Sequence, residues 1–542
     1  MKRVLKILIL LYVIIPLTAV AMPPHPKLVE EYKKQGELSK LATRLKSINI
    51  KMNKNSPEKL FPASGDFKIP VLLVRYNTPY TESSAKPLLF GNNYSPDKKF
   101  NLPIIVITFI FSVLMFSVAV KKHRNIPAFL IAYISFFSFP FSCSSESNTS
   151  YIDTTGFSSG TIFYNNLFNG ETSSDLSLRK YYQEMSNSKM NITFDVFGPV
   201  QIPKSWDYYG ANNSSGDDMH PGELGSAAVQ KMVTLYSSTD FSHYDNDNDG
   251  KVDTIIIIHQ GRGEESGADE KTIWSHKWDL VSAKYYGDGS GPVTADGVTF
   301  NVYTIQPEYT FSEGDSSIGV FAHELGHVFG LPDLYDINGD TYGVGNWSLM
   351  ASGSWCGPGY DGTRPAPLLA WERNIVGNGE WIAITSITGS GTYSINDIES
   401  GHTVYKINLD SGTGQYLLLE GKKQSTADQW TVNGTGILVT HIHEGIITAY
   451  MDENTINTGS GRVHGVNIVE ADNGNNLWNK TNYGTGTDLY YSGNNASLTE
   501  TTTPDTKYYT STSPIVKDGS SGVSITGIGS ASFPMTLDVD LP

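Results

Sequence analysis

His323 to Asp336 reads HELGHVFGLPDLYD, and no other stretch limits the fold of this chain so tightly. On a helix, residues four apart share a face, so His323 and His327 direct both imidazoles the same way. Glu324 is displaced by about a third of a turn and stays near that face. Two neutral imidazoles so placed can hold a zinc ion, with the carboxylate left free to handle a proton. Gly330 can take the left-handed conformation that ends a helix, and Pro332 cannot continue one. The chain has to turn there, which carries Asp333 round as a third ligand from outside the helix. Three protein ligands leave a position for water, whose pKa zinc lowers to about 7. Glu324 would take that water's proton as it attacks a peptide carbonyl polarised by the metal. The plainer alternative is HExxH arising by chance on a surface helix. The helix stop and the acid at third-ligand spacing weigh against it.

Together with Asn346–Trp355, NWSLMASGSW, these residues resemble the immune inhibitor A type of secreted bacterial zinc metallopeptidase. The resemblance extends over Lys68–Asn77 and nearly all of 151–542. It implies a zincin-type α/β catalytic domain, with a mixed sheet and an active-site helix, followed by an all-β domain. In the wider metzincin pattern the third ligand is histidine and a methionine turn lies beneath the metal. Here Asp333 stands in the ligand's place and Met350 in the turn's. Asp336 is close by and Glu372 lies on a later helix, so both stay open as alternative ligands. Ser348, Ser352 and Gly353 favour a turn around Met350.

A chain of 542 residues exceeds one ordinary core, and about three domains is the prior expectation. A hydrophobic content of 39% suffices for packed domains. A net charge of −16 argues against nucleic acid as a partner, which would call for a basic stripe. Cys143 and Cys356 are the two cysteines, so no disulfide framework staples the fold.

Residues 1–21 carry Lys2, Arg3 and Lys6, then ILILLYVIIPL, then Ala19-Val20-Ala21, which predicts a signal peptide and a secreted protein. Residues 22–66 are polar and Lys-rich, with helical patterning in HPKLVEEYKKQGELSKLATRL. The resemblance puts a prosegment here, a flexible linker being the alternative, and without cysteine its latency cannot use a thiolate. Residues 67–376 are the expected metallopeptidase domain, opening on strand Lys68–Asn77 and interrupted by an insert at 82–150. That insert holds two apolar runs, Pro103–Val120 and Ile126–Ser142, separated by Lys121, Lys122, His123 and Arg124. They predict membrane association through a hairpin at 103–142 with the peptidase outside, at the lower length limit for spanning helices. A lipoprotein-like signal ending at Cys143, a packed hydrophobic hairpin and a gene-model error joining two export signals are the alternatives.

Beyond the insert, Leu176–Ser186 reads as helix, Asn191–Ile202 as strand and His220–Ser238 as helix. DNDNDGKVD places Asp245, Asp247, Asp249 and Asp253 around Gly250, a pattern that suits calcium. Ile256 stands where an EF-hand needs glutamate, so a shorter loop is expected, with a solvated turn as the alternative. Strand Val252–Gly261 follows. Val298–Tyr309 is expected at the cleft edge, where a substrate backbone can pair by strand addition. His276 reads as structural. Residues 377–542 are rich in Gly, Ser, Thr and Asn, and their short alternating strands predict a β-sandwich. His441 and His443 share a strand face but lack a third partner, so they too read as structural.

The expected function is therefore an exported, monomeric zinc metalloendopeptidase acting on protein or peptide substrates, with calcium in a structural role. A surface binding protein with a structural metal is the rival reading. Glu324 separates them, because a purely structural site needs no free carboxylate beside its ligands.

Overall fold

The computed structural model describes residues 20–50, 61–78, 80, 160–171, 176–214, 216–424 and 432–542. The hairpin expected at 103–142, Cys143 and nearly all of the signal peptide fall outside the described residues. Among those described, no helix is long and apolar enough to cross a membrane.

In chain order the first nine strands are β1 (Val20–Ala21), β2 (Gly65–Arg75), β3 (Met190–Gln201), β4 (Lys251–Val252), β5 (Ile255–Arg262), β6 (His276–Asp279), β7 (Val293–Ala295), β8 (Val298–Phe300) and β9 (Val302–Tyr309). Six of them form a mixed sheet in the order β1-β6-β9-β5-β2-β3, and β4-β8-β7 form a small second sheet. β3, β2, β5 and β9 run parallel, while β6 is antiparallel to β9 and β1 antiparallel to β6.

The central strands are continuous apolar runs because both faces of a parallel sheet must be covered. On one face Ile69, Val71, Ile256 and Ile258 pack with Tyr164, Phe168, Tyr182, Phe321 and Leu325. On the other, Leu72, Val74, Ile255 and Ile257 meet Leu224, Ala228, Val229 and Met232 of helix Pro221–Leu235. Ahead of the sheet, helices Pro26–Gln35 and Leu38–Ile50 follow the patterning of the Lys-rich stretch.

Two expectations about the strands change. Val298–Tyr309 is not the cleft edge: it divides at Asn301 into β8 and β9, and β9 lies inside the sheet between β6 and β5. All of β9 but Tyr309 is buried, as an interior strand requires. The edge of the main sheet's own strands is β6, four residues too short and too charged to stand out in the sequence, and β1 covers it. Val252–Gly261 likewise divides, into β4 and β5, either side of Asp253 and Thr254.

The remaining strands are β10 (Ala383–Ser386), β11 (Gly391–Ile395), β12 (Thr403–Asp410), β13 (Gln415–Lys422), β14 (Gly436–His443), β15 (Val466–Ile468), β16 (Ser511–Thr512), β17 (Ile515–Val516), β18 (Ser524–Thr526) and β19 (Met535–Asp540). A five-stranded sheet, β10-β12-β13-β14-β15, faces a three-stranded one, β11-β19-β18. Ile407, Leu417, Leu419 and Ile437 of the first share a core with Ile395, Ile525, Leu537 and Val539 of the second. Side chains alternate along a strand, so Tyr416, Leu418, Leu438 and Ile442 leave by the opposite face. There they join the core that contains the HExxH helix. One hydrophobic core thus runs from the α/β region into the β-rich region.

Candidate metal centre

Helix Ile318–Val328 carries the HExxH residues and is buried along its whole length. Its closest neighbours explain two glycines. A Cβ at Gly319 would lie 2.1 Å from the Ser354 carbonyl oxygen, and one at Gly326 would lie 2.5 Å from Met350 Sδ. Gly326 therefore lets Met350 sit directly against the helix. The helix stops as read: Gly330 takes φ +90°, and the Leu331 N–H donates back to the Gly326 carbonyl at 3.0 Å.

His323 Nδ1 lies 2.9 Å from the Leu349 carbonyl and His327 Nδ1 lies 2.8 Å from the Leu331 carbonyl. A carbonyl can only accept, so each Nδ1 carries the proton and each Nε2 presents a lone pair. The two Nε2 atoms are 3.1 Å apart, and Asp333 Oδ1 stands 3.2 Å from one and 3.3 Å from the other. Three buried lone-pair atoms this close, with no proton between them, repel unless a cation sits among them. Ligands about 2.0–2.1 Å from a tetrahedral ion are spaced at about that distance. The donor set therefore fits a small tetrahedral cation.

Asp333 is held from far along the chain. Asn454 donates to its Oδ2 at 2.5 Å and accepts from its backbone N–H at 2.6 Å. Burial lowers His327. The two alternative ligands are engaged elsewhere. Asp336 accepts backbone N–H groups of Asn338, Thr341 and Gly459. Glu372 accepts from the Ser348 hydroxyl at 2.7 Å and from Leu369 N–H at 2.6 Å.

Glu324 is fully buried, and neither carboxylate oxygen has a hydrogen-bond partner of good geometry. Its pKa is raised well above the ordinary value, by burial first and then by the charges of Asp333 and Glu265; the Met22 backbone N–H and Lys277 oppose this. A carboxylate so placed holds its proton more tightly than an exposed one.

The N-terminal residues lie across this centre. Val20 and Ala21 pair with Lys277 and His276 of β6. The Met22 N–H donates to the Ser275 carbonyl at 3.1 Å. Tyr335 OH donates to the Ala21 carbonyl at 2.7 Å, Trp274 Nε1 to that of Met22 at 2.8 Å, and Trp355 Nε1 to that of Pro23 at 3.0 Å. His25 follows, its Nε2 2.7 Å from the Tyr360 carbonyl, and burial lowers its pKa to about 3. Tyr335 lies within the HELGHVFGLPDLYD stretch and was not singled out as functional from the sequence. Asn454, 121 positions from Asp333, carried no sequence signal.

Of the four acids expected around Gly250, Asp245, Asp247 and Asp249 bring carboxylate oxygens within 4.8 Å of one another. Asp253 is not among them; its Oδ2 accepts from the Asn246 backbone N–H at 2.9 Å and side-chain Nδ2 at 2.7 Å. His276 Nδ1 lies 2.7 Å from the Trp274 carbonyl. His441 lies 3.1 Å from Gln415 Oε1 and stacks on Tyr509, while His443 caps the helix that follows it.

Residues 148–382 match the family described as immune inhibitor A peptidase M6, catalytic domain. Over 246 residues the chain is 31% identical to the pre-pro-metalloprotease PrtV of Vibrio cholerae serotype O1, covering 42% of this chain and 26% of that protein. Over 240 residues it is 32% identical to immune inhibitor A of Bacillus thuringiensis subsp. alesti, covering 39% of this chain and 34% of that one. The matched region thus spans about a quarter to a third of the length of these curated relatives.

Proposed function

We propose that this chain, whose residues 148–382 match the immune inhibitor A peptidase M6 catalytic domain, is an exported zinc metalloendopeptidase that hydrolyses peptide bonds of extracellular proteins. The observation that carries the reading is the triangle of His323, His327 and Asp333 with the buried carboxylate of Glu324 beside it. Zinc, when bound by the three ligands, supplies a Lewis acid and lowers the pKa of water. Glu324 acts as general base toward that water and returns the proton to the departing amide nitrogen. Substrate backbone pairs antiparallel with β6, the route that Val20 and Ala21 already take. Tyr335 OH, on the Ala21 carbonyl, is placed to orient and polarise a substrate carbonyl in the same way. An HExxH helix lying against a sheet whose edge strand runs antiparallel supports the zincin reading.

Two parts of the proposal concern regulation and support. Residues 22–25 lie across the cleft, held by Trp274 and Trp355, so the exported chain that keeps them is latent, and 22–66 serve as a prosegment whose release opens β6. The Asp245–Asp249 loop binds calcium in a structural role.

The test compares wild type with Glu324→Ala after prosegment release, using casein as substrate and measuring bound metal. The variant should fold and keep its zinc while losing nearly all hydrolysis. Casein degradation at the wild-type rate by Glu324→Ala would overturn the mechanism.

A further inference from the structure

The loop that leaves β15 contains a second acidic constellation, remote in sequence from the HExxH helix. Glu470, Asp472 and Asp488 bring one carboxylate oxygen each within 4.8 Å of one another. Each is braced by donors that favour its ionised form. Glu470 accepts from the N–H groups of Asn476 at 2.6 Å and Leu477 at 3.1 Å. Asp472 accepts from Gly474 N–H at 2.8 Å and the Thr487 hydroxyl at 2.6 Å. Asp488 Oδ2 accepts from Trp347 Nε1 at 2.9 Å and Thr485 N–H at 3.0 Å.

The other oxygen of Asp488 is the informative one. Asp488 is 0% exposed, and its Oδ1 has no hydrogen-bond partner. The buried Tyr490 hydroxyl is also unpartnered. Burial raises the Asp488 carboxyl to about 6, and the like charges of Glu470 and Asp472 add to the rise. A buried carboxylate oxygen with no donor, in a group beside like charges, is costly. A hard cation removes that cost, and an all-oxygen donor set of three carboxylates suits calcium, which accepts six to eight oxygens in flexible geometry.

We infer that Glu470, Asp472 and Asp488 form a calcium site that fastens the 470–490 loop onto the segment between Asp336 and Met350. The loop already grips that segment. Tyr342 N–H donates to the Leu477 carbonyl at 2.9 Å, Asn346 N–H to that of Tyr483 at 2.7 Å, and Lys480 Nζ to that of Gly339 at 2.6 Å. The rings of Tyr342 and Tyr483 stack with centroids 3.9 Å apart. Gly484 is required where the two meet, since a Cβ there would lie 2.8 Å from Trp347 Nε1. The ion thereby stiffens the chain that leads into the methionine turn under the metal centre, through Trp347 and without touching the centre itself.

The Trp347 contact also supplies the probe. In full-length protein carrying Asp247→Ala and Asp249→Ala, terbium should luminesce on tryptophan excitation, and calcium should compete it away. Adding Asp472→Asn or Asp488→Asn should abolish this emission and weaken calcium binding, measured calorimetrically, by on the order of tenfold or more, since ligand charge count sets calcium affinity. Zinc content and far-ultraviolet dichroism should stay unchanged. Asp472 is exposed, so its variant decides the matter where Asp488→Asn fails to fold. The inference is overturned if the Asp247/Asp249 background takes up no calcium, or if Asp472→Asn binds it as tightly as that background.

Discussion

Asp333 owes its place to Asn454, which bonds both its carboxylate and its backbone N–H. Support of this kind around a metal ligand is worth about 10–100-fold in metal affinity. Asn454→Ala should therefore weaken zinc binding by about that factor in a chelator competition, while Asp333→Ala should lose zinc almost completely. Asp336→Ala should retain it, because Asp336 is taken up by backbone donors. Equal zinc retention in the two aspartate variants would remove Asp333 from the ligand set. Glu372 makes a second residue-scale test. Burial pushes its carboxyl from 4.5 to about 8, with Glu420 adding to the rise and Ser348 and Leu369 opposing it. The folded chain thus holds a proton that the unfolded chain gives up above about pH 4.5. Stability should fall as pH rises from there toward about 8 and level off beyond, by at most about 1.4 kcal/mol per pH unit. Glu372→Gln carries no titrating proton, so its melting temperature should decline less over that range. An identical pH profile in the two proteins would refute the buried, protonated state.

At the level of elements, the HExxH helix and the turn after it act as one unit. Gly330 at φ +90° ends the helix and lets residues 331–333 return toward the two imidazoles. A side chain in that conformation costs roughly 1–2 kcal/mol. Gly330→Ala should lower unfolding free energy by about that amount in a urea titration and also weaken zinc binding, because Asp333 is displaced. Loss of stability with wild-type zinc affinity would show that the turn does not place the ligand. The Asp245–Asp249 loop is a separate element that leads into β4. Calcium bound there should raise the melting temperature by mass action. Asp247→Ala with Asp249→Ala should remove the part of the shift that this loop supplies, and an undiminished shift would place the ion elsewhere.

For the whole molecule, the arrangement of residues 22–25 predicts that the exported chain is slow until they are released. The Met22 N–H faces Ser275 and Glu324, and the Met22 and Pro23 carbonyls accept from Trp274 and Trp355, so a substrate backbone would compete for the same groups. Limited proteolysis that removes residues up to about 66 should raise peptide hydrolysis on the order of tenfold or more, as relief of an intramolecular occupant at high effective concentration does. Equal rates before and after release, with cleavage verified by mass, would contradict latency. The common core linking the motif helix to β13 and β14 adds a second consequence. Residues 377–542 should not separate from the peptidase region as an independently melting unit, and calorimetry should show one transition for both.

Features set by local backbone geometry were legible in the chain before any tertiary contact was known. Helical spacing put His323, Glu324 and His327 on one face, glycine and proline forced the turn, and β-branched runs marked the buried strands. Short-range rules suffice there because each feature is set by a few neighbouring residues. The choice of Asp333 over Asp336 and Glu372 was made by the folded packing. All three are acids within reach of the motif, and the choice depended on which lone pairs other donors had already claimed: Asp336 was claimed by Gly459, Glu372 by Ser348, and Asp333 was left facing the histidines but anchored by Asn454. The same holds for the sheet edge. Four residues, HKWD, become the strand beside the cleft only because β9 is paired on its other side by β5, a relation between segments that no window of sequence contains.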